Sequence, residues 1–299
     1  MKEKRIRSDI QKENRKSFRL PSFSIHGTPG IRTLWNFLLT ALEPVGKTLY
    51  VYGGGWDEED TGASRQACSL GIAEEWVRFF ADHDENYSYL DIPGPKEGSP
   101  ARNPYGYAGL DCSGYVGWAL YSTLETENHL PGYVTEASVM AEWLAERGWG
   151  SCWKQEDITA DDLHPGDIVS MSSHVWISLG ACADGSAVIL HSSPTDSRSG
   201  HPGGGVQISA VGRDEGCQAY RLAERYMAEY FPAWHERYPV RLCDPAVYFK
   251  AKGIFRWETG ERGILRDPES VSAMDPEVLL KRVFRQYGQN SLCINQNFL

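Results

Sequence analysis

The chain has 299 residues, with 30 Lys and Arg against 40 Asp and Glu and 41% apolar residues. That length allows one large or two small domains around a substantial core. The net charge of −10 argues against nucleic acid or an anionic membrane surface as the partner of the protein body.

The acidic balance is not even along the chain. Residues 1–19 carry Lys2, Lys4, Arg5, Arg7, Lys12, Arg15, Lys16 and Arg19 against Glu3, Asp9 and Glu13. No apolar segment of signal-peptide type follows, so residues 1–30 are expected to form a basic, flexible arm. Leu34 to Leu42 places apolar residues at helical spacing just before Pro44 and predicts a short amphipathic helix. TLYVYGGG, Thr48 to Gly55, is a β-prone run closed by three glycines, where the chain must turn or admit another backbone. A second helix is expected from about Leu70 to Asp82, with Ile72, Trp76, Phe79 and Phe80 on its apolar side. The Pro- and Gly-rich stretch from Ile92 to Gly109 predicts a long loop.

From Asp111 a helical pattern resumes, and Ala137 to Arg147 predicts a further helix. The period then changes. Ile168–Val169, Val175–Leu179, Val188–Leu190 and Gly203–Val211 predict four strands joined by turn residues. Helices followed by an antiparallel meander make the fold class α+β. After Gly216 come an aromatic helical stretch and a polar tail. No run approaches the roughly 18 apolar residues required of a membrane-spanning helix. The 7 cysteines include no CxxC pair, which argues against a structural zinc site of the usual kind, and no cofactor is expected.

The chemistry concentrates around GLDCSGYVGWAL, Gly109 to Leu120. Cys112 falls at the first turn of a helix, where unsatisfied N–H groups and the positive end of the dipole favour thiolate. Asp111 suits the N-cap. Gly114 and Gly117 are poor helix formers, so another element is expected close against that face. His174 opens the strand SHVWISLG, and period 2 puts it on one face with Trp176 and Ser178. His191 lies one strand later. A thiol, a histidine base and a group orienting that base constitute an activated nucleophile. A tight turn at Asp184–Gly185 would set His191 opposite Ser178, roughly 13 Å along from His174. The two histidines can therefore meet only across a wider loop, expected nearer Cys182–Ala183.

DCSGYV, LHPGDIV, HVWISLG and ILHSSP, in that order, resemble the NlpC-type cysteine peptidases, papain-like enzymes of the bacterial cell wall. TLYVYGGG looks like the aromatic-x-aromatic-Gly-Gly segment that precedes the cysteine in that family. The likeness covers Thr48 to about Val211. It implies a papain-like fold, with N-terminal helices packed on an antiparallel sheet and the nucleophile at a helix N-terminus. Cys112 would be the nucleophile, His174 the base and then acid, and His191 the orienter. Tyr50 would help the Cys112 N–H stabilise the oxyanion, and Tyr52 would pack. Asp111 and Ser113 match positions that in some relatives bind the free amine of a stem peptide; for Asp111 the simple N-cap stands as an equal reading.

Two departures mark this chain. An insert at about 56–108 separates Tyr50 from Cys112, and its loop is expected over the cleft. The segment after Leu130–Pro131 lacks the arginine often found there. The resemblance implies hydrolysis of an amide in peptidoglycan or muropeptides through a thioester, first the γ-D-glutamyl bond to the diamino acid. An N-acetylmuramoyl-L-alanine amidase and a catalytically silent papain-like binding module are the alternatives. A metal site built from Cys112, His174 and His191 ranks well below both. Such a substrate lies in the cell envelope or outside it, while the missing signal segment also allows the cytoplasm. The domain expectation is an arm at 1–30, a catalytic domain at 31–249 and a C-terminal extension at 250–299.

Overall fold

The computed structural model describes residues 25–56, 68–91, 108–154 and 158–295, with backbone alone for 287–295. Its first helix, α1 (Leu34–Leu42), matches the predicted span. Thr33 caps it by accepting from the Asn36 N–H at 3.1 Å, and all nine residues are buried. Helix α2 (Glu74–Asp82) buries Trp76 and Phe80 alone. Helix α3 (Cys112–Leu124) is buried along all 13 residues. A helix apolar on every side belongs to a core rather than a surface. Trp118 of α3 meets Trp76 edge-on at 5.5 Å between ring centres. Each such fully buried large side chain contributes about 1.5–3 kcal/mol.

Helix α4 (Met140–Glu146) leads into strand β1 (Gly150–Trp153). Strands β2 (Ile168–Ser170), β3 (Val175–Ala181), β4 (Ala187–Ser193) and β5 (Gly205–Val211) form the expected antiparallel meander. Helices α5 (Gln218–Tyr230) and α6 (Pro232–His235) follow, then β6 (Leu242–Cys243), α7 (Pro245–Tyr248), β7 (Gly253–Trp257) and α8 (Pro276–Asn295). The described residues build one sheet of seven strands in the order β1-β7-β2-β3-β4-β5-β6. All its pairs are antiparallel except β5 with β6. The fold is thus mixed α+β.

Period 2 along β3 separates two apolar layers. Val175, Ile177 and Leu179 pack with the helices, whereas Trp176 packs with Val169, Ile189, Ile254 and Tyr248 on the other face. Both faces being covered explains why β4 and β5 are buried at every residue.

The boundary expected at residue 249 is corrected. Strand β7 lies between β1 and β2, inside the sheet, and α8 places Leu279, Leu280, Val283 and Phe284 in the core. Residues 253–286 therefore belong to the same hydrophobic unit as the meander. The arm expectation falls mostly on residues 1–24, outside the described residues. Within 25–30, Ile25 is buried and the Gly30 N–H donates to the Thr123 carbonyl at 3.1 Å, so this part is docked on the body.

Candidate active site

Cys112 opens α3 because Asp111 stops the chain from entering the helix earlier. Asp111 has an extended backbone, and its carboxylate accepts from the Gly114 N–H at 2.7 Å. The Ser113 hydroxyl, the Gly53 N–H and the Trp56 indole N–H donate to the same carboxylate at 3.1, 3.1 and 2.9 Å. The N-cap reading of Asp111 is therefore present in the structure. Asp111 and Ser113, the expected substrate-amine residues, are both buried and bonded to each other. A substrate amine would have to share acceptors already in use.

The insert does not separate Tyr50 from the thiol. The Leu110 N–H donates to the Leu49 carbonyl at 3.2 Å, Tyr50 bridges Leu110 in parallel, and the Asp111 N–H donates to the Gly54 carbonyl at 2.9 Å. The expected strand at Thr48–Gly55 reduces to these isolated bridges and a glycine turn. Gly114 explains the close approach, since a Cβ there would sit 2.0 Å from the Gly54 carbonyl oxygen. On the next turn of the helix, a Cβ at Gly117 would press on the backbone of Val134 at 3.0 Å. Both glycines meet the close neighbour their use predicts.

Tyr50 is 8% exposed, and its ring stands against Tyr89 at 5.2 Å. Among the described residues its hydroxyl takes no hydrogen bond, while its carbonyl accepts from the Tyr87 hydroxyl at 2.7 Å. Residues 87–89 of the insert thus buttress Tyr50. The loop expected over the cleft lies, at 92–107, outside the described residues. Tyr52 departs from expectation. It is 54% exposed rather than packed.

His174 and His191 meet. His174 Nε2 and His191 Nδ1 are 3.0 Å apart, but the route differs from the one expected. The β3–β4 loop stays centred on Asp184, with Ala181 paired to Ala187. An irregularity between Ser178 and Gly180 then shifts the register by one residue, so that Ile177 faces Leu190. Continuing that register sets His191 beside Trp176, on the face of His174 and diagonal to it. Without the bulged Leu179, His191 would point to the opposite face.

Beyond the pair, His191 Nε2 lies 3.0 Å from Ser209 Oγ on β5. Tyr248 of α7 stands edge-on to both imidazoles, at 5.8 and 6.2 Å between ring centres. Arg241, just before β6, donates to Ser193 Oγ at 2.9 Å. The sequence reading missed all three. Alternation along GGGVQISAV does put Ser209 on one face with Gln207, but only the register shows that this is the face of His191. For Arg241 and Tyr248 the sequence carries no signal. Ser209→Ala is expected to release His191 Nε2 from its hydrogen bond and to shift the nitrogen resonances of that ring, which NMR of the imidazoles measures.

The thiol lies against the start of β3, where the Val175 backbone N–H points at its sulfur. Among the described residues no hydrogen bond joins Cys112 to His174. Burial first, and the Asp111 charge second, push the Cys112 thiol up to about 12, against the helpful N–H groups of Val175, Ser113 and Cys112. Burial, aided by the Arg241 charge, holds His174 down to about 3. His191 is also driven well below the ordinary range, by burial first, then by the neighbouring His174 imidazole and the Arg241 charge. Burial thus opposes the thiolate expected at this helix start. A helix dipole worth at most about 2 kcal/mol is outweighed by desolvation of the sulfur. Both shifts favour the neutral forms of the thiol and of the imidazole.

Burial also raises the Asp111 carboxyl to about 6, although its four donors pull the other way. The folded protein then binds more protons at this group than the unfolded chain between about pH 4 and pH 6, so its contribution to stability falls as pH rises through that window. Asp111→Asn is expected to remove roughly 2–3 kcal/mol of this pH-dependent difference. Denaturant melts of both proteins at pH 4 and pH 7 measure it.

Among the described residues no three His, Cys, Asp or Glu side chains are grouped to hold a metal ion, and no helix is long and apolar enough to cross a membrane. No protein-family model, curated protein or solved structure matches the chain.

Proposed function

We propose that this protein is a thiol hydrolase that cuts an amide in peptidoglycan stem peptides, with the γ-D-glutamyl bond to the following diamino acid as its target. The observation that carries the reading is the histidine chain. A neutral His174, braced by His191 at 3.0 Å, borders Val175, whose N–H points at the Cys112 sulfur. Cys112 supplies a nucleophile, His174 a base in its proton-accepting form, and His191 with Ser209 a fixed tautomer.

In this mechanism His174 takes the thiol proton as sulfur attacks the scissile carbonyl. The C–S bond forms and the carbonyl electron pair moves to oxygen. The Cys112 N–H and the Tyr50 hydroxyl donate to that oxyanion. Its collapse breaks the C–N bond, and the amine leaves with the proton held by His174. Water, deprotonated by His174, then hydrolyses the thioester and restores the thiol. Transfer of the thiol proton requires His174 to swing toward the sulfur, because the resting protein has no hydrogen bond between them. That same gap favours one second reading, a silent papain-like module that binds peptide without turnover.

Mass spectrometry of peptidoglycan and soluble muropeptides separates the two. Fragments made by the wild type and not by Cys112→Ala support the hydrolase, and their masses identify the γ-D-glutamyl or the muramoyl-L-alanine bond. Absence of Cys112-dependent fragments from both materials rejects it.

A further inference from the structure

We infer that Arg241 forms a subsite for a carboxylate of the substrate, beside the His174–His191 pair. This rests on the reading of the protein as a hydrolase of stem peptides. The arginine is held from two sides. Its carbonyl accepts from the Ala210 N–H at 3.1 Å, which ties its backbone to the edge of β5, and its Nη1 donates to Ser193 Oγ at 2.9 Å. Ser193 is two residues beyond His191 on β4 and therefore on the same face. Tyr248, whose ring borders both histidines, is also in reach of the guanidinium, as is Cys243. Arg241 is thus beside the sheet face that carries His174 and His191.

Its charge is uncompensated. Among the described residues no carboxylate lies within 4.0 Å of Arg241, whose Nη1 is held instead by a serine hydroxyl. The neighbours around it are a serine hydroxyl, a thiol, a phenol and two imidazoles, and burial keeps the last four neutral. A guanidinium offers five N–H donors in a planar fork, and a carboxylate fills two of them at once. A partly buried cation without a counter-ion beside neutral groups is a site ready for an anion. The proposed substrate carries one. A γ-linked glutamyl residue keeps its α-carboxylate free, three carbons from the carbonyl that the thiol attacks.

The test uses Cys112→Ala, so that binding is read without turnover. Isothermal titration compares the tripeptide L-Ala-γ-D-Glu-L-Lys with the same peptide carrying an α-carboxamide. With Arg241 present the carboxylate peptide is expected to bind about ten- to a hundredfold more tightly, the range of a charge-assisted pair. In Arg241→Gln that preference is expected to vanish, and in Arg241→Lys to persist in part. Thermal melts confirm that each variant is folded. A preference unchanged in Arg241→Gln, or no binding of either peptide to Cys112→Ala, overturns the subsite. Wild-type turnover, followed separately, keeps the two ideas apart. An Arg241-dependent preference without Cys112-dependent cleavage upholds the subsite and rejects the hydrolase, and cleavage without preference does the reverse.

Discussion

Cys112→Ala is expected to abolish hydrolysis, lowering kcat by on the order of 10⁵–10⁶, while leaving the fold and its stability within about 1 kcal/mol of the wild type. Cys112 is 7% exposed and its sulfur takes only a weak hydrogen bond from the Val175 N–H, so alanine removes the chemistry at the cost of that contact and a small loss of packing. A loss of turnover together with a large fall in Tm would instead assign the sulfur a structural part. The same residue gives a second readout in the wild type. With burial pushing the thiol up to about 12, its neutral form is favoured at pH 8. Alkylation by iodoacetamide is therefore expected to be slow and to climb steadily beyond pH 9. A rate already on a plateau below pH 7 would show a preformed thiolate–imidazolium pair and contradict the neutral resting site. The two measurements bear on different claims: turnover tests the nucleophile, and the pH profile tests how it is activated.

Asp167→Ala is expected to destabilise the protein by about 3 kcal/mol and to lower Tm by roughly 5 °C. Asp167 belongs to LHPGD, a stretch that read as part of a catalytic signature. In the structure its carboxylate accepts from Arg256 Nε at 2.9 Å, Arg256 Nη2 at 2.6 Å and the His164 N–H at 2.8 Å. Arg256 sits on β7, also donates to the Asp162 carbonyl at 2.7 Å, and lies 4.8 Å over the Trp153 ring of β1. One buried carboxylate thus joins the turn before β2 to the strand beside it, and through Trp153 to the sheet edge. Removing it leaves a guanidinium without its partner. Because that side chain is 31% exposed, water recovers part of the loss, which places the effect at the lower end for a broken buried pair. Replacing both residues, as in Asp167→Ala with Arg256→Met, is expected to restore part of the stability. Thermal melts of the two variants check both statements, and an unchanged Tm in Asp167→Ala would contradict them.

Local pattern determined a good deal from sequence alone. The apolar spacing of Leu34–Leu42 and the Asp-Cys start of α3 mark helices whose periodicity no tertiary contact has to supply. The alternation along Val175–Leu179 sorts His174 and Trp176 onto one face because side chains in a strand alternate whatever the sheet around them. Paired small residues at Gly54, Gly55 and Gly114 announced a close approach, since only glycine lets two backbones come so near.

Other features were decided by tertiary structure alone. The short strands β1, β6 and β7 lack a period long enough to read, and β7 takes its place between β1 and β2 through backbone pairing on both sides and the Arg256–Asp167 pair. The meeting of His174 with His191 turns on one bulged residue, Leu179, and a single-residue shift of register reverses the face of every side chain beyond it. Ser209 and Arg241 join the site through strand pairing across distant segments, which leaves no mark on their own neighbourhoods. The shift of the Cys112 thiol runs against the helix-start argument for the same reason: the dipole is a local property legible in sequence, whereas desolvation depends on everything packed around the sulfur.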